Sequence, residues 1–243
     1  LNALRHISQA GLFPANCRLL DSNEALFNGA GDGSKHLLII AFESADHDKS
    51  HSLKRALEIV EDNEGIFEEP KESEDAHRSG SSGSWRSSFI KAPYLRESFT
   101  RRGIIQDTFE TAITWDKSHK FIENIKKQTS KAILEITGKP SLVTCRITHS
   151  YPDGLAPYFT FGAFSTPQSM IEIWKEIKLA TNEICIANQG TVTHHHAVGR
   201  DHRPKGYDDQ RPDLFNKVLV AAKSSLDPKG CLLYTSPSPR DVR

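Results

Sequence analysis

Residues 141–164, SLVTCRITHSYPDGLAPYFTFGAF, decide how this chain folds. Over 141–149, Val143, Cys145 and Ile147 alternate with Thr144 and Arg146; over 158–164, Phe159, Phe161 and Ala163 alternate with Tyr158, Thr160 and Gly162. A period of two sends successive side chains to opposite faces, so each segment reads as a strand with one apolar and one polar face. Pro152-Asp153-Gly154 between them has turn chemistry, with proline presetting φ and glycine supplying positive φ. Two such strands joined this closely are antiparallel neighbours.

Outward from this pair, residues 103–115 (GIIQDTFETAITW) read as a third strand. Ile105, Phe109, Ile113 and Trp115 share one side, and Gln106, Thr108 and Glu110 the other. Residues 17–20 and the apolar run 36–43 (HLLIIAFE) suggest two more strands. Helical spacing marks 1–11, 23–29, 48–63, 84–102 around Pro93, and 116–137 with Phe121, Ile125, Ala132 and Ile136. Asp21 and Ser22 are N-cap types, and Gly138 suits a helix end. Thr166-Pro167 opens a helix carrying the stripe Met170, Trp174, Ile177 and Ile184, and Arg211-Pro212-Asp213 opens a last one to about Leu226. The expectation is an α+β fold, an antiparallel β-sheet covered by helices, rather than a doubly wound parallel sheet. No GxGxxG follows a strand, and Gly29–Ser34 (GAGDGS) lacks the Gly-Lys-Ser/Thr ending of a phosphate loop.

The 243 residues carry 31 Lys and Arg against 31 Asp and Glu, so the net charge is zero, which argues against a nucleic-acid binder. No run reaches the roughly 18 apolar residues of a membrane span. Cys17, Cys145, Cys185 and Cys231 lie far apart, as free thiols of a reducing cytoplasm would. Residues 61–83 turn acidic and then Ser/Gly-rich, a solvated loop or a lid that orders over a ligand. Residues 231–241, CLLYTSPSPRD, resemble a translated sequencing adapter, so 231–243 are expected to be a non-native tail behind a domain at 1–230.

Three groups could carry chemistry. His194, His195 and His196 stand in the segment TVTHHHAVG at 191–199. If that segment is extended, His194 and His196 point one way and His195 the other, a poor arrangement for one metal, so no metal site is expected. Imidazole suits proton transfer or substrate binding near neutral pH; the alternative is a structural accident. Tyr158 presents its hydroxyl on the polar face, as a proton carrier or an ordinary sheet tyrosine. Arg18 and Arg96 stand among apolar residues, suited to a phosphate or carboxylate or else to an internal salt bridge, for example with Glu110.

GIIQDTFETAITWD, THSYPDGLAPYFTF and THHHAVGRDH, with PANCRLLD and APYLR upstream and LDPKG at the close, together resemble the C-terminal half of the alkyldihydroxyacetonephosphate synthases. These are flavoproteins of the vanillyl-alcohol oxidase type, and the resemblance spans about residues 1–230. A weaker likeness extends to FAD-linked oxidases of 2-hydroxy acids. The resemblance implies a cap domain that covers the flavin of an absent N-terminal FAD-binding domain. It implies an activity that exchanges the acyl chain of acyl-dihydroxyacetonephosphate for a fatty alcohol without net redox. It also implies roles: Tyr158 in proton transfer, the three histidines in acid/base steps, with His195 and His196 near the FAD, Arg18 as needed for activity, and Arg96 on the substrate phosphate. The expected partners are therefore an anionic small molecule, the FAD-binding domain and a second copy of the chain, and a lipid substrate adds a membrane surface to the cytoplasmic setting. The family's cysteine two positions before the tyrosine is replaced by Ala156, followed by Pro157. The runner-up is a 2-hydroxy-acid oxidase, with an arginine on the carboxylate and a histidine taking the hydroxyl proton. A non-catalytic ligand-binding domain would leave Tyr158, His196 and Arg18 scattered.

Overall fold

The computed structural model describes residues 1–70 and 78–231. Its centre is an antiparallel sheet of β1 (Asn16–Leu20), β2 (Leu37–Ala41), β3 (Ile104–Glu110), β4 (Ile113–Thr114), β5 (Leu142–Ser150) and β6 (Gly154–Phe164). The spatial order is β2-β1-β5-β6-β3, with β4 also pairing with β6. The helices are α1 (Asn2–Gln9), α2 (Ser22–Phe27), α3 (Ser50–Asp62), α4 (Gly80–Thr100), α5 (Ser118–Thr137), α6 (Met170–Ala187), the single turn α7 (Asp208–Gln210) and α8 (Asp213–Leu226). The α+β architecture expected from the alternating strands is the one found.

The two faces of the sheet are as different as the alternation requires. Val143, Cys145, Ile147, Phe159, Phe161, Ala163, Ile105 and Phe109 are buried in one cluster under α5 and α6. Phe109 stacks on Phe159 across the β3–β6 pair at 5.0 Å between centroids. Burying each such side chain contributes about 1.5–3 kcal/mol. The α6 stripe packs here as expected, with Ile177 buried and Met170, Trp174 and Ile184 against the cluster. The buried stripe of α5 is Phe121, Ile125, Thr129 and Ile133, so Ala132 and Ile136 sit beside the core line rather than on it. A second cluster lies on the opposite face near β1 and β2, where Leu20 and Ile39 meet Ala25 of α2 and Trp85 of α4.

Asp21 is the N-cap of α2, its side chain accepting from the Glu24 backbone N–H at 2.7 Å. Its other oxygen takes Lys126 Nζ and the Cys145 N–H, at 2.5 and 2.9 Å, so one carboxylate joins α2, α5 and β5. Gly138 ends α5 at φ +68°, a left-handed turn suited to glycine.

Four expectations are corrected. The 103–115 strand breaks after Glu110: the Thr111 N–H still donates to the Pro157 carbonyl, while the Thr111 hydroxyl and the Ala112 N–H bond Thr191. Strand β6 begins at Gly154, four residues before Tyr158. Gly154 is also not in the left-handed region: a Cβ there would lie 2.5 Å from the Ile113 carbonyl oxygen, so the close approach of β4 is what requires glycine. In the 61–83 segment, α3 runs to Asp62 and α4 already starts at Gly80; residues 71–77 and the tail beyond Cys231 lie outside the described residues.

Candidate active site

The polar sheet face is assembled by register. Arg146 pairs with Tyr158, and Tyr158 with Glu110, so all three share a face with Thr108, Thr144 and Thr160. The Tyr158 hydroxyl lies 3.0 Å from Thr108 Oγ1, and the Arg146 guanidinium lies over the Tyr158 ring, 3.9 Å from its centroid. Arg146 Nη1 donates to Glu24 Oε1 at 2.6 Å. The arginine thus satisfies its charge without covering the tyrosine hydroxyl.

The β5–β6 register shifts between Ile147 and His149, so Thr148 is an extra residue. The bulge moves His149 opposite Ala156, onto the face of Tyr158; unbroken alternation would put it on the core side. Ala156, where the resemblance departs from the family pattern, is buried beside it.

The triple-histidine segment is a loop rather than an extended strand, and the expected alternation fails. The physical cause is Glu110. Its Oε1 accepts backbone N–H groups from His194 at 2.9 Å, His196 at 2.6 Å and His195, and the Thr193 hydroxyl at 3.1 Å. Three successive N–H groups converging on one oxygen curl the chain, as in an anion-binding nest. The loop is tied at its start as well: Thr191 Oγ1 accepts from Ala112 N–H at 2.8 Å, and Gln210 Oε1 accepts from Val192 N–H at 3.1 Å.

The curled loop gathers all three rings with Tyr158 and His149. His196 meets Tyr158 edge-on at 5.1 Å between centroids, His195 lies 4.8 Å from His149, and the Tyr151 hydroxyl is 2.9 Å from His194 Nε2. Burial lowers the proton affinity of His149, and the neighbouring His195 and His194 lower it further. Burial does the same at His196 against the pull of Glu110. Burial alone would raise Glu110, but the three backbone N–H groups hold its carboxyl below the usual carboxylate range. At neutral pH the rim therefore contains an anionic carboxylate with neutral His149 and His196 beside it.

Two atom sets fall within 4.8 Å, His149 with His194 and His195, and Glu110 with His195 and His196, and either could hold a metal ion. The extended alternation is one ground for expecting no metal, beside the lack of Asp, Glu or Cys at ligand spacing just before the segment, and the curled loop removes only the first.

The arginines are placed differently. Arg18 stands on the same sheet face, its guanidinium 4.5 Å from the Trp85 ring centroid and its charge disfavoured by burial and by Arg146. Arg96 lies outside the ring cluster: 62% exposed, it has Asp107 at 3.9 Å. Glu110 is engaged by the histidine loop rather than by either arginine. The scattering expected of a non-catalytic domain does not describe Tyr158 and His196. Glu110 as the loop's anchor, Arg146, His149 and Tyr151 are the members that sequence reasoning missed.

A model of the family described as FAD linked oxidases, C-terminal domain, matches residues 1–233. The alkyldihydroxyacetonephosphate synthase of Trypanosoma brucei brucei is 27% identical over 165 residues, covering 65% of this chain and 26% of the relative. The enzyme of the same name from Caenorhabditis elegans is 32% identical over 139 residues, covering 56% of this chain and 23% of the relative. A solved alkyldihydroxyacetonephosphate synthase superposes with a TM-score of 0.64 at 18% identity, over 93% of this chain and 41% of that one. The chain thus spans well under half the length of each.

Proposed function

The chain belongs to the family of FAD linked oxidases, C-terminal domain, and from that premise we propose that it is the substrate-covering part of an alkyldihydroxyacetonephosphate synthase-like enzyme. The reaction is exchange of the acyl chain of acyl-dihydroxyacetonephosphate for a fatty alcohol, with FAD held chiefly by a domain outside this chain. The observation that carries the reading is the convergence of Tyr158 with His149 and His194–His196 on one rim of the polar sheet face. Relatives that bear the synthase name at 27% and 32% identity support the substrate class.

The residues fit a flavin in their donor chemistry. Imidazole and phenol groups can each donate to or accept from a heterocycle edge, and His195 and His196 are the ones we place against it. When bound, FAD supplies the reactive ring to which the substrate carbon is presented. Tyr158 and the histidines move the substrate proton: the Tyr158 hydroxyl, within reach of Thr108, is one relay atom, and neutral imidazoles are the acceptors. Arg18 offers positive charge to a phosphate on the same face; Arg96, exposed and set toward Asp107 on the apolar side of β3, does not share that face. Helix α8 has no buried residue and exposes Leu214, Phe215, Val218 and Leu226, a face suited to cover by a further domain.

The test is activity of the chain joined to an FAD-binding domain of the family. Acyl-for-alkyl exchange without reduction of an artificial acceptor is expected, and Tyr158→Phe should lower kcat by about 10²–10⁴-fold. Acceptor reduction by 2-hydroxy acids with no exchange would replace this reading with the oxidase one.

A further inference from the structure

Glu110 ends β3 one residue before the strand breaks, is 1% exposed, and spends Oε1 on four donors of the histidine loop. Its other oxygen, Oε2, is buried with no hydrogen-bonded partner. It faces His195 Nδ1 at 2.5 Å and His194 Nδ1 at 3.6 Å. A neutral imidazole has one donor and one acceptor nitrogen, and an acceptor lone pair set against a buried anionic oxygen is repelled. We propose that Glu110 is a positioning residue that fixes the proton of His195 on Nδ1 and leaves Nε2 as the proton-accepting atom of the rim.

The neighbouring ring follows from the same constraint. His194 Nδ1 and His195 Nδ1 are 3.2 Å apart, so only one can carry hydrogen toward the other. With the proton on His195 Nδ1, His194 Nδ1 is the acceptor and its Nε2–H donates to the Tyr151 hydroxyl oxygen at 2.9 Å. Adjacent histidines then hold opposite tautomers, one selected by a carboxylate and one by a phenol. A buried carboxylate set beside a ring nitrogen orients a histidine in this way. This assignment rests on the proposed acid/base role of the histidines.

Imidazole nitrogen and carbon NMR of the full chain at alkaline pH, without flavin or substrate, tests it. His195 is expected in the Nδ1–H form and His194 in the Nε2–H form. Glu110→Gln should lower the Nδ1–H to Nε2–H ratio of His195 by about tenfold, the loss of a charge-assisted contact. Thr193→Val, which loosens the loop but leaves Oε2, should not move that ratio; a role confined to loop stability would move neither tautomer selectively. An Nε2–H form of His195 in the unaltered chain overturns the proposal, and that spectrum decides alone if Glu110→Gln does not fold. An unchanged ratio in a folded Glu110→Gln protein also overturns it. The readout needs no turnover, so failure of the exchange reaction with these tautomers in place would count against the proposed function only.

Discussion

At the residue scale, His202 shows how a buried histidine ties stability to pH. It is 7% exposed, near Asn182 and Lys178, and its proton affinity is pushed down to about 4 by burial first and by the Lys178 charge second. The unfolded chain has the ordinary value near 6.5 and so binds the proton first as pH falls. Stability from the neutral ring is complete above about 6.5 and is lost as pH falls toward 4, by on the order of 3 kcal/mol. Urea titrations at pH 7 and pH 4.5 should show this loss, and in His202→Phe the pH dependence should shrink by that amount. Equal pH slopes in the two proteins would remove His202 as the cause. Lys178, lowered by burial but donating to the Thr108 carbonyl at 2.8 Å, is a separate buried group on the α6 side of the sheet.

At the element scale, the histidine loop is held by close packing as well as by hydrogen bonds. A Cβ on Gly190 would lie 2.5 Å from Phe121 Cζ and 2.7 Å from Thr111 Oγ1, both in the buried interior. Gly190→Ala should cost about 1–3 kcal/mol through overpacking and should displace the loop from the 111–112 break. The denaturation midpoint measures the first effect and the ring contacts of His194–His196 the second; a midpoint unchanged within error would mean the helix α5 side yields freely. The strands, the α2 cap and the α6 stripe were legible because alternation, capping and helical spacing are local patterns. The bulge at Thr148 was not, since a one-residue register shift depends on which residues of β6 face β5. His149 was invisible for that reason alone. The curl of His194–His196 was equally hidden, because its cause, Glu110, stands on another strand.

At the scale of the whole molecule, one sheet has given its apolar face to α5 and α6 and its polar face to a set of titrating and hydrogen-bonding side chains. Tyr158 and Thr160 could be assigned to that second face from sequence, and the structure keeps them there. What sequence could not supply is distance: Arg18 and Arg96 read as equivalent arginines in apolar company, yet only Arg18 shares the face of Tyr158. Among the described residues, no helix is long and apolar enough to cross a membrane.

The anchor between Glu110 and His194–His196 joins points 84 to 86 residues apart in the chain. Contacts of such sequence separation bear a large loop-closure entropy, whereas the β5–β6 hairpin closes locally. The hairpin should therefore form early and the histidine rim late, so Glu110→Gln should accelerate unfolding and leave the refolding rate nearly unchanged. Stopped-flow chevrons measure both arms, and a refolding arm slowed in proportion to the lost stability would place the rim in the nucleus instead. By this order of events the chain reaches a folded sheet before it possesses the arrangement that could do chemistry, and the last step of folding is also the assembly of the reactive groups.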